Sequence, residues 1–272
     1  MPLNDTQSSR LRRLFLEGFS AMDLAEPLVS FDASADAQSV REFMAVKDFD
    51  LVGIRQEGLV RGYVRREDLK EGCCQDYLRG FTPADDMVPD TANLVAVVNS
   101  LAVNAKCFVT ILDQVGAIIT LSDLEKPPMR MFLFGWITLG EMLVTEILRH
   151  RYSDGSWQDL LSAQRLDKAR QLQQERARRG QRVDLVDCLQ YGDKGWIISY
   201  DEEIRKALGM ASRREARQVV KELESLRNNL AHTQEIIPTG WKRIVAACSR
   251  MEQNLENLAG GLKLTENSKA EG

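Results

Sequence analysis

Histidine is nearly missing from this chain: 272 residues include only His150 and His232. Cysteine is scarce too, with five residues, of which Cys73 and Cys74 are adjacent and the others scattered. No pair has CxxC spacing. So few ligands, so far apart, predict no zinc site. An odd number of thiols without an export signal predicts reduced cysteines and a cytoplasmic location. The opening MPLNDTQSSRLRRLFLEGF has no long apolar stretch followed by a small-residue cleavage site, so no signal peptide is read there.

A charge-free apolar run of membrane-spanning length is also lacking. The longest candidate, MFLFGWITLGEMLVTEIL from Met131 to Leu148, contains Glu141 and Glu146. Lys126, Arg130, Arg149 and Arg151 crowd its ends. Each charge near a bilayer centre costs about 2.5–3.5 kcal/mol, which predicts a buried core helix and no membrane partner.

What is present is uneven in charge. Residues 1–150 hold 15 basic and 22 acidic side chains (net −7), and residues 151–272 hold 21 and 18 (net +3). Such asymmetry points to two modules, with any polyanion partner on the second. The first half repeats itself weakly. Leu28–Leu69 and Met87–Leu124 each give a short extended piece, a helix with apolar spacing of three and four, two short strands, and an Asp–Leu pair. The strands are DLVGI and LVRGYV in the first copy, CFVTIL and AIIT in the second. Asp36, and Asp90 or Thr91, stand where helix N-caps belong. The pattern is β-α-β-β, twice.

From Pro127 onward the pattern is helical. Proline suits a first helical turn. SWQDLLSAQRLDKARQLQQERARRG reads as one helix stopped by Gly180. VDLVDCLQYGDKGWIIS reads as a short helix and a loop. SRREARQVVKELESLRNNLAHTQEI reads as a long helix, with Ser212 and Glu215 forming a capping box. WKRIVAACSRMEQNLENLAGG closes the bundle, and the tail TENSKAEG reads as disordered.

On the long helix, Val219, Leu223, Leu226 and Leu230 fall on one face and predict its core side. Arg227 borders that face. Asn228 and His232, one turn apart, lie away from it. The patch therefore offers a guanidinium, a carboxamide and an imidazole. Arginine can hold two phosphate oxygens at once. Histidine exchanges protons near neutral pH. Those are the groups RNA cleavage needs in the absence of a metal. One histidine cannot be acid and base together, so a two-fold dimer would supply the second. Seven basic residues between Arg165 and Arg182, against Asp167 and Glu175, offer an RNA-backbone track through Arg176, Arg178, Arg179 and Arg182, or simply a solvated helix face.

The two halves resemble known families. The repeat is similar to a CBS-domain pair, whose copies end in Gly-h-h-Thr-x-x-Asp. The second copy has TLSD, so Thr120 and Asp123 match. The first has GYVRRED, so Asp68 matches and Arg65 replaces the threonine. The resemblance implies an adenine nucleotide effector held between the copies by Arg65, Asp68, Thr120 and Asp123. The alternative is that Asp68 and Asp123 are helix caps. RNNLAH matches the Arg-x4-His motif of the HEPN family. That resemblance implies a dimerising helical bundle and a metal-independent endoribonuclease of toxin or antiviral defence systems, needing no cofactor for catalysis. Arg227, Asn228 and His232 would then be catalytic, with Glu141 orienting Arg227 or His232.

The expected fold class is α+β: a tandem β-α-β-β-α pair followed by an all-α bundle. The expected divisions are 1–27 (helical extension), 28–125 (CBS-like pair), 126–264 (HEPN-like bundle) and 265–272 (disordered tail). The expected partners are RNA, an adenine nucleotide and a second copy of the chain. The competing expectation is a non-catalytic module for nucleotide binding and dimerisation.

Overall fold

The computed structural model describes Arg13 and residues 17–82 and 87–231. The expected closing helix, the tail and His232 lie outside the described residues. The chain divides into two compact units, one spanning Glu17–Met129 and the other taking the chain from Arg130 on.

The first unit is a doubled motif. β1 (Glu26–Pro27) and β2 (Ser30–Asp32) precede helix α1 (Ala37–Lys47), then β3 (Leu51–Gln56), β4 (Leu59–Arg65) and β5 (Arg79–Gly80). β6 (Met87–Pro89), α2 (Leu94–Val103), β7 (Lys106–Ile111) and β8 (Gln114–Thr120) repeat the order. In each copy a parallel pair is joined through a helix and followed by an antiparallel hairpin. The sheets run β2-β3-β4-β5 and β1-β8-β7-β6. The edge strands are exchanged between copies. β1 precedes the first copy yet pairs with β8, and β5 precedes the second copy yet pairs with β4. β5 comes so close that a Cβ on Gly62 would sit 2.2 Å from the Arg79 carbonyl oxygen.

Val52, Gly53 and Ile54 are buried in succession on β3, as are Cys107, Phe108 and Val109 on β7. Consecutive burial means both faces of each strand are covered, which explains why these strands read as apolar runs without alternation. Asp36 caps α1 by accepting from Ser39 N–H at 2.8 Å, as expected. The cap of α2 is Asn93, which accepts from Ala96 N–H at 2.9 Å, and not Asp90 or Thr91. Ala92 N–H closes a turn on the Pro89 carbonyl at 2.9 Å, and the Asp90 and Ala92 carbonyls are taken by Met22 and Ala21 N–H, so the helix starts after the turn.

The second unit is helical. α3 (Pro127–Arg151) begins at the expected proline, and the unit boundary falls in its first turn. By length and composition α3 could cross a membrane, but half of its apolar window is buried inside the protein. The stretch expected to be one helix from Ser156 is two pieces. A 3-10 turn at Ser156–Leu160 breaks at extended Ser162, and α4 (Ala163–Arg178) follows. Trp157 and Leu161 enter the core through that break. α5 (Tyr191–Tyr200) occupies the segment expected to be a loop. Gly195 is there because α7 (Arg213–Ala231) packs against it: a Cβ would meet Val220 Cγ1 at 2.2 Å. Between them lies α6 (Glu202–Ala207). Ile147, Leu148, Trp157, Leu161, Val186, Leu189, Ile197 and Ile198 build the core.

Ser212 Oγ accepts from Glu215 N–H at 3.1 Å at the start of α7, while Glu215 reaches back to Ala211 N–H at 2.9 Å. Leu223 and Leu226 are buried, and Val219 and Leu230 half-buried, on the face assigned to the core.

Candidate active site

Glu141 interrupts the apolar surface of α3 and needs a cationic partner, because a part-buried carboxylate is costly alone. It has two. Lys194 Nζ donates to Oε1 at 2.9 Å, and Arg227 Nη1 donates to Oε2 at 3.4 Å. Lys194 is the most enclosed of the three, with 7% of its side chain exposed, against 24% for Glu141 and 33% for Arg227. The short bond and the deep burial make Lys194 the principal partner. Arg227 is held at the long end of hydrogen-bonding range. Its guanidinium also lies over the Tyr191 ring, 5.8 Å from the centroid.

Three helices therefore converge here. α3 supplies the carboxylate, α5 the lysine and the ring, and α7 the guanidinium. Close approach at Gly195 brings α5 and α7 near enough for Tyr191 and Arg227 to meet. Arg130 Nη2 donates to the Asn229 carbonyl at 3.1 Å, which ties the start of α3 to the last turns of α7. Asn228 is exposed beside Arg227.

Lys194 and Tyr191 escaped the sequence reading because their segment was taken for a loop. The signal was there. A carboxylate inside an apolar helix calls for a buried cation, and Lys194 stands two residues before Trp196 in the apolar run WII. Glu141 pairs with neither Arg149 nor Arg130 among the described contacts. Arg149 instead joins Glu146, Asp184 and Asp187, with Asp187 Oδ1 at 2.7 Å.

The other candidate residues lie on other elements. Arg176 and Arg178 are in the last turn of α4. Arg178, Arg179 and Arg182 are exposed, and Arg179 pairs with Glu175. In the first unit, Thr120 N–H and Oγ1 both bond Asp123 Oδ2, at 2.7 and 3.0 Å. Lys126 takes Asp123 Oδ1 at 2.9 Å. These two residues form the cap of a 3-10 turn. Asp68 accepts two hydrogen bonds from Arg79, at 2.7 and 3.0 Å. Arg65 lies 3.6 Å from Glu67 and lines a cavity of about 540 Å³ together with Arg41, Leu51, Arg66 and Lys106.

The segment that carries Glu141, Lys194 and Arg227 can be placed in a family. Residues 140–256 match the Swt1-like HEPN family. The matched span begins one residue before Glu141 and also includes Asn228 and His232. The second unit carries that match, and the first unit has a doubled β-α-β-β arrangement. Among solved structures, the first unit is similar to the CBS domain of a bacterial CNNM/CorC family Mg2+ transporter in complex with ATP. Identity is 12%, coverage 44% of this chain and 93% of that one, and the TM-score 0.34. CBSX2 in complex with AMP is 18% identical over 39% of this chain and 93% of that one, with a TM-score of 0.34. CbpB in complex with c-di-AMP is 14% identical over 44% and 89%, with a TM-score of 0.35. No curated protein matches the chain.

Proposed function

We propose that the HEPN-like domain is a metal-independent endoribonuclease and that the CBS-like pair regulates it by binding an adenine nucleotide. The observation that carries the reading is Arg227, half-exposed and loosely held by a carboxylate that a buried lysine already fixes. Such an arginine is positioned without being consumed by its partner. A scissile phosphate competes well for a guanidinium whose only described carboxylate bond is 3.4 Å long.

In the proposed reaction the ribose 2′-oxygen attacks phosphorus and the bond to the 5′-oxygen breaks. The 2′-hydroxyl proton passes to a base, and an acid protonates the leaving oxygen. The products carry a 2′,3′-cyclic phosphate and a 5′-hydroxyl. Arg227 neutralises charge on the phosphorane, Asn228 orients phosphate or imidazole, and His232 supplies the proton transfer, which is worth roughly 10²- to 10⁴-fold. A second His232, from a two-fold partner, completes the acid–base pair. The regulatory cleft is the one lined by Arg65, Arg66 and Lys106. Defence against foreign nucleic acid is the role such an enzyme fits.

The test is cleavage of RNA in excess EDTA, scored by the cyclic phosphate end, with sedimentation to read the dimer. His232→Ala and Arg227→Ala should each abolish cleavage, and an all-deoxy strand should stay intact. Cleavage by His232→Ala at the wild-type rate, or none by the wild type, returns the protein to the non-catalytic module.

A further inference from the structure

α5 and α7 run past each other in opposite directions, and their contacts form a series. Beginning at the site, Arg227 faces Tyr191, Glu224 lies against Gly192, and Val220 packs on Gly195. Beyond Val220 the series turns cationic and aromatic. Arg217 lies over Trp196 at 4.2 Å and over Tyr200 at 5.5 Å. Arg213 lies over Tyr200 at 4.6 Å, and Arg165 over Trp196 at 5.2 Å. The Trp196 and Tyr200 rings are themselves 5.4 Å apart. Five side chains from three helices thus alternate guanidinium and ring.

Arg165, Arg213 and Arg217 are exposed, and both rings are half-buried. The group's polar contacts are few. Arg217 Nη2 meets Tyr200 Oη at 3.3 Å, Arg165 pairs with Asp193 at 3.2 Å, and Trp196 Nε1 donates to the Leu160 carbonyl at 2.9 Å. A ladder serving only to fasten α5 to α7 would need no exposed arginines, since Val220 on Gly195 already does that.

We infer that this ladder is a binding track for single-stranded RNA, feeding the strand toward Arg227. Unstacked bases add to a series of guanidinium planes and rings, because every base presents a π-face, and the same arginines reach the phosphates between them. A duplex cannot do this, as its bases are already stacked. Arg217 and Arg227 are ten residues apart on α7, about 15 Å at the helical rise, so a short run of nucleotides bridges track and site. The inference rests on the proposed nuclease reading for its direction of travel but not for binding itself.

The experiment uses the full chain and a fluorescent single-stranded RNA made wholly of 2′-O-methyl nucleotides, which cannot be cut by 2′-hydroxyl attack. Arg213→Gln/Arg217→Gln should bind at least tenfold more weakly, and its log–log salt slope should fall by about 1.4, near 0.7 per lost phosphate contact on a single strand. Arg217→Lys, which keeps charge and loses the plane, should lose affinity while keeping most of the slope. A duplex of the same length should bind less tightly than the single strand. Wild-type affinity in the double variant overturns the track. So does a wild type that ignores the probe, or one that binds an acidic peptide in its place. If the double variant melts early, Arg213→Gln alone, at the exposed end of the ladder, decides the matter by the same readout. A wild type that binds the probe but never cuts unmodified RNA defeats the nuclease reading and leaves the track standing.

Discussion

Glu141 is the residue on which the helical site turns, and its energetics follow from its two partners. Lys194 is 7% exposed and depends on Glu141 for compensation. Removing one member of a buried pair costs more than removing both, because the survivor keeps its desolvation penalty. Glu141→Ala should therefore destabilise the protein by about 2–3 kcal/mol, at or below the low end for buried pairs since Glu141 stays partly wetted. Glu141→Ala/Lys194→Met should recover much of that loss. A urea-denaturation double-mutant cycle measures the coupling, and purely additive single effects would dismiss Lys194 as the principal partner. The same cycle run on RNA cleavage separates positioning from folding. Restoring stability in the double variant should not restore Arg227 to its place.

Among the elements, α6 owes its start to one carboxylate. Asp201 accepts from Glu203 and Ile204 N–H, at 3.0 and 3.1 Å, and so caps the helix. It also accepts from Arg151 and Tyr152 at the end of α3, at 3.1 and 3.0 Å. Burial alone would raise its pKa, but the Ile204 N–H, Arg151 and Tyr152 together hold it below the usual carboxylate range. The Tyr152 hydroxyl is pushed up to about 12, by burial first and then by donating to Asp201. A depressed carboxylate stabilises the folded state above its unfolded pKa, and that contribution is lost as pH falls through the folded value. Asp201→Ala should cost about 1–3 kcal/mol at neutral pH, and the gap to wild type should narrow below about pH 4. Thermal melts at pH 7 and pH 3 read both. A gap that stays constant with pH would mean the carboxylate charge contributes nothing.

For the whole molecule, two units with opposite net charge share one chain, and the regulatory reading requires the first to hold a ligand. Its cleft is lined by four cations, Arg41, Arg65, Arg66 and Lys106, and by Asp50 and Glu67, which pair with Arg66 and Arg65 and leave the lining net positive. A ligand that binds only the folded state stabilises it by about 2.7 kcal/mol at a hundred times its dissociation constant. AMP, ADP or ATP at millimolar concentration should thus raise the melting temperature, and Arg65→Ala should erase the rise. An equal shift in wild type and Arg65→Ala would place the nucleotide elsewhere, and no shift at all would leave the pair a scaffold.

Much was legible from residue order. Repeated β-α-β-β spacing marked the doubled first unit, apolar periodicity marked the face of α7, Pro127 marked the start of α3, and RNNLAH marked the helix that carries Arg227. These depend on interactions a few residues apart, which local spacing records. Other features depend on partners far along the chain. That α5 is a helix follows from α7 packing on Gly195, a contact no local pattern encodes. The α2 cap moves to Asn93 because residues 21 and 22 hold the preceding carbonyls. Thr120 and Asp123, expected as nucleotide contacts, bond each other at the start of a 3-10 turn, a contact that spacing alone does not reveal. Glu141 announced itself as a misfit in an apolar helix. Its answer, Lys194, lies 53 residues away, and only tertiary packing, which must neutralise a charge wherever it buries one, could bring the two together.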